Sequence, residues 1–361
     1  MARVYADVNA RYGPSWYDYE SLRIEWNVPD RYEIVARLGG GRYSNVFEGI
    51  DSSNEEPCVI KVLKSIAKKK IKREIKILRN LAGGPNIIRL LDVVHDPPSR
   101  SNSLIMEHVH NAEWKDMYHN LTEMETKFYI FQLLRALDFV HARGIIHRDV
   151  KPANIMFDRE RRKLRLIDWG LAEFYHPGVE LHTRVASRYY KGPELLVGYK
   201  HYDYSLDIWS VGCILASMIF RREHFFRGRD NEDQLLKIVK VVGSDDLEKY
   251  LSAYHLYLEA FNEDLTQNYP KQPWTKFVTQ DNRLNVTSEG IDLLDKMLRF
   301  DHHDRVTAAE ALAHCYFSAY SLFPHNSAVE IPHHLYMFNA VRLETPSNLA
   351  ECVSDSGFYS T

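Results

Sequence analysis

The chain has few cysteines and no long apolar run. Its 361 residues include four cysteines, and none of them forms a C-x-x-C pair. Neither a disulfide framework nor a zinc knuckle is indicated, and a reducing compartment fits this composition. The longest apolar stretch, residues 208–220, is too short to cross a bilayer. We therefore expect a soluble protein that is not secreted and does not bind membranes.

Glycine, proline and net charge are also low. With 17 glycines, 14 prolines, 45% hydrophobic and 26% charged residues, the composition excludes a fibre or a wholly disordered chain. The net charge of −3 excludes a generic polyanion binder. The adjacent pairs His302-His303 and His333-His334 are expected to face apart and lack the spacing of a zinc helix, so we interpret them as ordinary surface or core histidines.

The apolar periodicity changes once along the chain. Short β-type runs are predicted at residues 33–38, 46–50, 58–63, 87–94 and 103–106, with one helix at 67–81. Later the period becomes helical, around residues 130–140 and 208–218. This pattern predicts an α+β fold with a small sheet lobe, a polar hinge at 108–113 and a larger helical lobe. We divide the chain into an N-terminal segment (1–31), a small lobe (32–107), a large lobe (108–323) and a C-terminal extension (324–361).

A glycine cluster follows the first β-type run. The segment 38–46 reads L-G-G-G-R-Y-S-N-V, and its glycines would let backbone N–H groups approach an anion. A plain tight hairpin remains the alternative, since Ser44 replaces the third glycine of the usual G-x-G-x-x-G pattern. Lys61 lies in the middle of a later β-type run, where a cation is costly unless it meets an anion. Phosphate would be such an anion.

One carboxylate lies in the apolar stripe of the predicted helix. Ile71, Glu74, Ile75 and Leu78 follow the i, i+3, i+4, i+7 spacing and share one face. A carboxylate turned toward the interior requires a cation. Lys61 is the candidate partner of Glu74, and a neighbouring lysine or arginine of the same helix is the alternative.

Three further motifs complete a known pattern. The chain reads H-R-D-V-K-P-A-N at 147–154, L-I-D-W-G at 166–170 and G-P-E at 192–194. Together with the glycine cluster, Lys61 and Glu74, these motifs resemble the protein kinase family over about residues 39–305. The resemblance implies a two-lobed α+β protein kinase fold, with a small antiparallel sheet lobe carrying one helix and a larger mainly helical lobe. It also implies transfer of the γ-phosphate of ATP with Mg²⁺ as cofactor.

The resemblance gives each polar motif residue a role. Asp149 would accept the proton of the substrate hydroxyl, and Asn154 and Asp168 would ligate magnesium. Lys151 is similar to the lysine that neutralises the γ-phosphate in serine/threonine kinases, which implies a serine or threonine acceptor. Glu194 would form a structural pair with Arg305, which lies in D-x-x-x-R at 301–305.

A nucleotide pocket is also implied by the resemblance. Lys61 would hold the α and β phosphates while Glu74 orients it, and Glu107 and Val109 would present backbone to adenine beside Met106. For the apolar residues, ordinary core packing is the alternative. The predicted ATP-binding residues are Leu38, Gly39, Gly40, Gly41, Arg42, Tyr43, Ser44, Asn45, Val46, Val59, Lys61, Glu74, Glu107, Val109, Met156 and Ile167.

A basic run makes the resemblance specific to one group of protein kinases. Residues 61–76 contain eight basic residues and one acid. This run, the D-W-G motif and segment 184–194 are similar to the catalytic alpha subunits of casein kinase 2. That resemblance implies acidic protein substrates, activity maintained by the N-terminal segment packing on the activation segment, and use of GTP as well as ATP. It further implies a regulatory beta subunit in a heterotetramer, inhibition by polyanions such as heparin, and a location in nucleus and cytoplasm.

The residues predicted to bind acidic substrate are Lys68, Lys69, Lys70, Lys72, Arg73, Arg184, Arg188 and Lys191. Two alternatives explain the basic run by itself, namely a solvated helix face and a nuclear import or nucleic-acid patch. Two rival functions follow, a pseudokinase scaffold and a nucleic-acid-binding protein. The first is disfavoured because every catalytic motif residue is present, and we expect no specific nucleic-acid partner.

Overall fold

A computed structural model describes residues 1–65, 67–110, 120–258 and 263–318. These residues belong to one compact unit, which spans residues 1–322. The predicted hinge positions 111–113, the C-terminal extension and the pair His333-His334 lie outside the described residues. Among the described residues, no helix combines the length and the apolar character that a membrane crossing requires.

The small lobe is built on an antiparallel sheet. After helices α1 (Val8–Tyr12) and α2 (Pro14–Tyr17), the strands are β1 (Tyr32–Gly40), β2 (Ser44–Asp51), β3 (Glu56–Leu63), β4 (Leu90–Asp96) and β5 (Ser101–Glu107). They lie in the order β1-β2-β3-β5-β4. The prediction that the fourth run begins at residue 87 is wrong. Ile87 and Ile88 instead meet Leu166 of the large lobe, through a bridge and a 3.2 Å hydrogen bond.

Helix α3 (Lys68–Asn80) lies between β3 and β4 and carries the predicted apolar stripe. Ile71, Ile75 and Leu78 are buried, and so is Glu74. The buried stripe anchors the helix by the hydrophobic effect. As a result, Glu74 is held at a fixed place in the small lobe.

The large lobe is mainly helical. Its helices are α4 (Glu123–His141), α5 (Pro193–Leu196), α6 (Ser205–Ile219), α7 (Asn231–Val242), α8 (Ser244–Ala253), α9 (Ser288–Met297) and α10 (Ala308–Leu312). Two small sheets pair β6 (Ile145–Ile146) with β9 (Glu173–Phe174), and β7 (Ile155–Asp158) with β8 (Lys163–Leu166). A capping box between Thr122 and Glu125 begins α4. The predicted α+β architecture of a small antiparallel sheet lobe and a larger helical lobe is confirmed.

One histidine prediction is wrong. His302 and His303 do not face apart, because they lie in a 3₁₀ turn (His302–Asp304) rather than in an α-helix or a strand. Their ring centroids are 4.1 Å apart, with an angle of 36° between the ring planes. The side chains of adjacent residues in such a turn can therefore contact each other.

Candidate active site

The glycine cluster forms the hairpin between β1 and β2. Gly41 N donates to Ser44 O at 2.9 Å, and Lys64 Nζ donates to Gly41 O at 2.7 Å. A Cβ at Gly40 would come within 2.8 Å of Asn45 Oδ1 and 3.0 Å of Arg37 Nη2, which are ends of flexible side chains, and the backbone oxygen of Ser44 would be 3.6 Å away. All predicted residues from Leu38 to Val46 lie in this hairpin or its two strands. The hairpin is common to both interpretations of the cluster, and its phosphate-binding role stays a prediction.

Lys61 lies in the middle of β3 and meets two carboxylates. Its Nζ donates to Glu74 Oε1 at 2.7 Å and to Asp168 Oδ1 at 2.9 Å. Burial lowers the pKa of Lys61, but the two carboxylates outweigh burial and raise it above its ordinary value. The pairing with Glu74, and not a pairing along helix α3, is therefore what the structure contains. An ammonium has three N–H groups, and the third makes no hydrogen bond with any described residue.

Asp168 lies where the small and large lobes meet. Its φ of +59° is in the left-handed region, which is uncommon for a residue other than glycine. Its side chain is 48% exposed although Oδ1 contacts Lys61. Burial raises the pKa of this carboxyl group, but Lys61 outweighs burial and the pKa is lowered. The carboxylate is therefore ionised, and part of it is open to the cleft.

Asp149 is the centre of a hydrogen-bonded cluster. Its Oδ2 accepts from Lys151 Nζ at 2.8 Å and from Asn154 Nδ2 at 3.0 Å, and its Oδ1 accepts from Ser187 Oγ at 3.1 Å. Lys151 Nζ also donates to Ser187 Oγ at 2.8 Å. The structure thus brings the three predicted catalytic residues together. Ser187 was missed because it is distant in sequence and no spacing rule links it to Asp149.

Asp207 holds the loop that carries Asp149 through hydrogen bonds to the loop backbone. This fully buried carboxylate accepts from the backbone N–H groups of His147 and Arg148, each at 2.9 Å, and lies 2.9 Å from His141 Nε2. Burial raises the pKa of Asp207, but the His141 hydrogen bond and these neighbours outweigh burial and lower it. Sequence reasoning missed Asp207. The available signal was an acid inside a helix that is otherwise apolar nearly all round.

His147 is a buried imidazole whose two nitrogens have different roles. Nδ1 accepts from Asp149 N at 3.2 Å, so Nε2 carries the proton and donates to Ile167 O at 3.1 Å. Burial lowers the pKa of His147 and keeps the ring neutral. The ring therefore links the Asp149 loop to the strand end that precedes Asp168.

The two predicted magnesium ligands lie on adjoining segments. Ile167 N, one residue before Asp168, donates to Asn154 O at 2.9 Å. Asn154 Nδ2 faces two acceptors, Asp149 O and Asp149 Oδ2, so the amide oxygen is the group left for a cation. A carboxylate and an amide oxygen are the hard ligands that Mg²⁺ prefers, so the donor set fits this ion.

Partly exposed apolar residues line the region between the two lobes. Val59 of β3 is opposite Met106 of β5, and Met156 and Ile167 lie on the large-lobe side. All four are half-buried, whereas neighbours such as Cys58 are buried. Apolar side chains that remain partly open beside charged groups are typical of a ligand cleft.

The carboxylate of Glu107 is not open to a nucleotide. It accepts from Arg165 Nε at 2.8 Å, Lys163 Nζ at 3.3 Å and Arg89 N at 3.1 Å. Burial raises the pKa of Glu107, but Arg165 and Lys163 outweigh burial and lower it. The side chain of Glu107 therefore links β5 to β8. Only the backbone of Glu107 and of the half-buried Val109 remains for hydrogen bonds to adenine.

Three of the predicted substrate-binding cations have partners within the chain. Lys69 pairs with Glu20, and Lys72 Nζ donates to Glu20 O at 2.7 Å. Arg73 is buried and donates to Glu173 Oε2 at 2.6 Å. These contacts hold α3 against the N-terminal segment and against β9. Arg73 is therefore closed to substrate, whereas the side chain of Lys69 is 60% exposed beside Glu20.

Among the described residues, the other five predicted cations form no ion pair with an acid. Lys68, Lys70, Arg184 and Arg188 are exposed, and Lys191 is half-buried. Lys70 Nζ lies 4.9 Å from the centroid of the Tyr43 ring in the glycine hairpin. Burial and the nearby Arg188 lower the pKa of Lys191. The accessible cations are those on the first turn of α3 and on the segment before α5.

The N-terminal segment contacts the activation segment (residues 168–194). Ala2 N donates to Tyr175 Oη at 2.8 Å, and Asn9 Nδ2 donates to Tyr175 O at 2.8 Å. The rings of Tyr17 and His176 meet edge to face, with centroids 4.5 Å apart. Tyr17 is half-buried by this contact, whereas Tyr12 of the same segment is exposed.

Glu194 and Arg305 form the predicted pair inside the large lobe. The contact is bidentate, with Nη–Oε distances of 2.8 and 2.7 Å, and both side chains are completely buried. The remaining guanidinium N–H groups donate to the carbonyl oxygens of Arg299, Ser205 and Phe300. A comparison with known families agrees with this geometry, since the model of the protein kinase domain matches residues 32–317.

Proposed function

Because this chain belongs to the protein kinase family, we propose that it phosphorylates serine and threonine followed by acidic residues, as a catalytic subunit of casein kinase 2 type. The observation that carries the acceptor class is the bridge from Lys151 Nζ to Asp149 Oδ2 and Ser187 Oγ. A lysine at this place puts a positive charge beside the base, where the phosphoryl group would pass. That position is the one the sequence resemblance links to serine and threonine acceptors.

The nucleotide side of the cleft is served by Lys61 and its partners. Glu74 holds the ammonium of Lys61 in place. The third N–H of this ammonium would bind the phosphates of ATP or GTP. Asn154 and Asp168 would hold Mg²⁺, which neutralises charge on the phosphates when bound. The half-buried apolar residues between the lobes would take the base.

Asp149 is the proton acceptor of the proposed reaction. The oxygen of the acceptor hydroxyl attacks the γ-phosphorus, and the hydroxyl proton passes to a carboxylate oxygen of Asp149. The bond from the γ-phosphorus to the β,γ-bridging oxygen breaks, and the nucleoside diphosphate leaves. Lys151 and Asn154 fix the orientation of that carboxylate through Oδ2. Alignment and charge, not a covalent intermediate on the protein, account for the catalysis.

The preference for acidic substrates rests on the accessible cations. Within the described residues, no acid forms an ion pair with Lys68, Lys70, Arg184, Arg188 or Lys191. Each exposed pair with a substrate acid is worth roughly 0.2–1 kcal/mol, so several together give selectivity of tens-fold or more. The same cations would bind heparin-like polyanions in competition with substrate.

A peptide array tests this function. Peptides carry serine, threonine or tyrosine, followed by glutamate, alanine or lysine, and incorporation of radioactive phosphate is measured. We expect serine and threonine peptides with glutamate to be the best substrates, and their KM to rise with salt because exposed charges are screened. Preference for tyrosine, or equal rates for acidic and basic peptides, would contradict the proposal.

The remaining features of the resemblance belong to the same proposal. The contacts of the N-terminal segment with Tyr175 and His176 support activity without activation-segment phosphorylation. Exposed Ile34 and Val35 on β1 support docking of a regulatory beta subunit on the small lobe in a heterotetramer. We also propose the domain division given above and a location in nucleus and cytoplasm.

A further inference from the structure

Three potential metal ligands meet outside the cleft. Asp203 precedes helix α6, and His302 and His303 lie in the 3₁₀ turn that leads to Arg305. One ring nitrogen of each histidine and a carboxylate oxygen of Asp203 lie within 4.8 Å of one another. Asp203 and His302 are buried, and His303 is half-buried. None of the three residues belongs to the proposed active site.

His302 carries an unused nitrogen in this cluster. The residue is 1% exposed, and its Nε2 has no hydrogen-bond partner among the described residues. Its Nδ1 lies 2.9 Å from Tyr250 Oη. A buried polar atom without a partner is costly, and such atoms call for a specific explanation. If Nδ1–H donates to Tyr250, Nε2 presents a lone pair in the orientation that metal-ligating histidines adopt.

A small cavity adjoins the cluster. It has a volume of about 20 Å³ and is lined by Asp203, His302 and His303 together with Ala2 and Tyr5 of the N-terminal segment. A cavity needs roughly 10–15 Å³ to hold one water molecule, so this one accepts a single ion or water and excludes an organic ligand.

We propose that Asp203, His302 and His303 bind one divalent metal ion of the zinc class, with a water molecule as the fourth ligand. Two imidazoles and one carboxylate suit this class. In a tetrahedral site, ligand atoms about 2.1 Å from the ion are about 3.4 Å apart, so the three ligand atoms, which now lie within 4.8 Å of one another, need shifts of up to about 1 Å each.

Charged groups of both signs surround the cluster. The carboxylate of Asp301 lies 3.5 Å from His302 and accepts from Tyr254 Oη at 2.9 Å. The positive charges are Arg305, which pairs with Glu194, and the N-terminal ammonium of Met1, which lies 3.5 Å from His303 Nε2 and would have to move aside for a metal ion. His303 has competing contacts, since Nδ1 lies 2.9 Å from Tyr254 Oη and Nε2 lies 3.1 Å from Met1 O, and metal binding exchanges one of them for the ion.

Metal binding would join the start of α6 to the His302–Asp304 turn through Asp203, His302 and His303. The N-terminal segment packs beside this place, because Arg3 Nη1 donates to Arg305 O at 2.7 Å and Tyr204 Oη donates to Tyr5 O at 3.1 Å. The site is structural and does not depend on the proposed substrate class.

Cobalt titration of the metal-free full-length chain tests the site. Saturating Mg²⁺ occupies the carboxylates of the cleft, and visible absorption of tetrahedral Co²⁺ reports the new site. We expect one equivalent of Co²⁺ to bind, Zn²⁺ to displace it, and Zn²⁺ to raise the melting temperature. In His303→Gln and Asp203→Asn we expect affinity at least about tenfold weaker and no thermal shift.

His182→Gln is the matched control, because His182 is an exposed histidine outside the cluster. It should bind Co²⁺ as the unaltered chain does. Absence of the tetrahedral cobalt spectrum, or equal binding by His303→Gln, would overturn the proposal. His303 is half-buried, so this variant should fold even if Asp203→Asn does not, and circular dichroism checks that both are folded.

Discussion

Two buried ion pairs differ in how completely their cations are satisfied. In the large lobe, all five N–H groups of Arg305 have acceptors, two on Glu194 and three on backbone carbonyls. In the cleft, Lys61 uses two of its three N–H groups, on Glu74 and Asp168. The first pair leaves no capacity for a ligand, whereas the second retains a donor beside a half-exposed carboxylate.

This difference separates a structural role from a catalytic role. A buried charge with complete hydrogen bonding contributes to stability mainly because removal of its partner would leave it unpaired. A charge with a free donor at the edge of a cleft can instead act on a bound anion. The comparison therefore predicts opposite balances of stability and activity when each cation is removed.

Arg305→Met should give the largest effect, a loss of roughly 3–5 kcal/mol in the free energy of unfolding, since Glu194 remains buried and unpaired. Urea denaturation measures the loss, and kcat of the folded fraction at low temperature should stay near that of the unaltered chain. Arg299→Met, which removes a half-exposed arginine, is the control. Equal stability of the two variants would break the comparison.

Lys61→Met should lower kcat/KM by roughly 10²–10³-fold, because a preorganised donor for the phosphates is lost. Lys61→Met leaves Glu74, which is 5% exposed, without its cation, so this variant should also lose stability. The loss should be smaller than that of Arg305→Met because Lys61 makes two hydrogen bonds and Arg305 makes five. Steady-state kinetics and urea denaturation are compared with Lys237→Met, an exposed lysine on α7. If Lys61→Met lost as much stability as Arg305→Met and its folded fraction kept full kcat/KM, the role of Lys61 would be structural.

Local periodicity, for Glu74, and the family resemblance, for the motif at 147–154, predicted the parts of the site that lie within one element or its neighbour. The stripe of α3 placed Glu74 inside, and the structure gives it the partner expected, Lys61. The motif at 147–154 brought Asp149, Lys151 and Asn154 into one cluster. These features depend on spacing along a helix or a short loop, which sequence alone carries.

Contacts between distant segments were predicted only where the family resemblance supplied them, as for Glu194 and Arg305. The ionic partner of Lys69 is Glu20, and that of Arg73 is Glu173, about fifty and one hundred residues away. Both residues were predicted to bind acidic substrate, with a solvated helix face as the alternative. Lys69 is exposed beside Glu20, whereas Arg73 is buried. The prediction that His302 and His303 face apart was also wrong, because a 3₁₀ turn has no strong sequence signal.

The pH dependence of stability sharpens the contrast between neutral and charged buried groups. The folded-state pKa of His147 lies below its ordinary value because of burial. The unfolded chain therefore binds a proton that the folded chain does not, and stability falls as pH drops below about 6.5. One such proton contributes up to about 1.4 kcal/mol per pH unit.

Urea denaturation between pH 7.5 and 5 measures this slope. His176 and His224 have lowered pKa values for the same reason, burial, and add to it. His147→Asn should reduce the slope, whereas His182→Gln should leave it unchanged. Identical slopes in His147→Asn and the unaltered chain would show that His147 is not the neutral group described above.

The smallest effect concerns the accessible cations. Lys68→Glu and Lys70→Glu should each raise KM for an acidic peptide by up to about fivefold, since an exposed pair is worth roughly 0.2–1 kcal/mol. KM for ATP should change little. Lys237→Glu is the matched control on an exposed helix face. Equal increases for acidic and basic peptides would show that these lysines do not select acids.

Single-turnover phosphotransfer with Asp149→Asn tests the central claim most directly. The substitution keeps the shape of the side chain but removes the carboxylate that Lys151, Asn154 and Ser187 surround. We predict a fall in the rate of transfer to a serine peptide of roughly 10²–10⁴-fold, with unchanged nucleotide affinity and melting temperature. Transfer at the original rate by the folded variant would contradict the account.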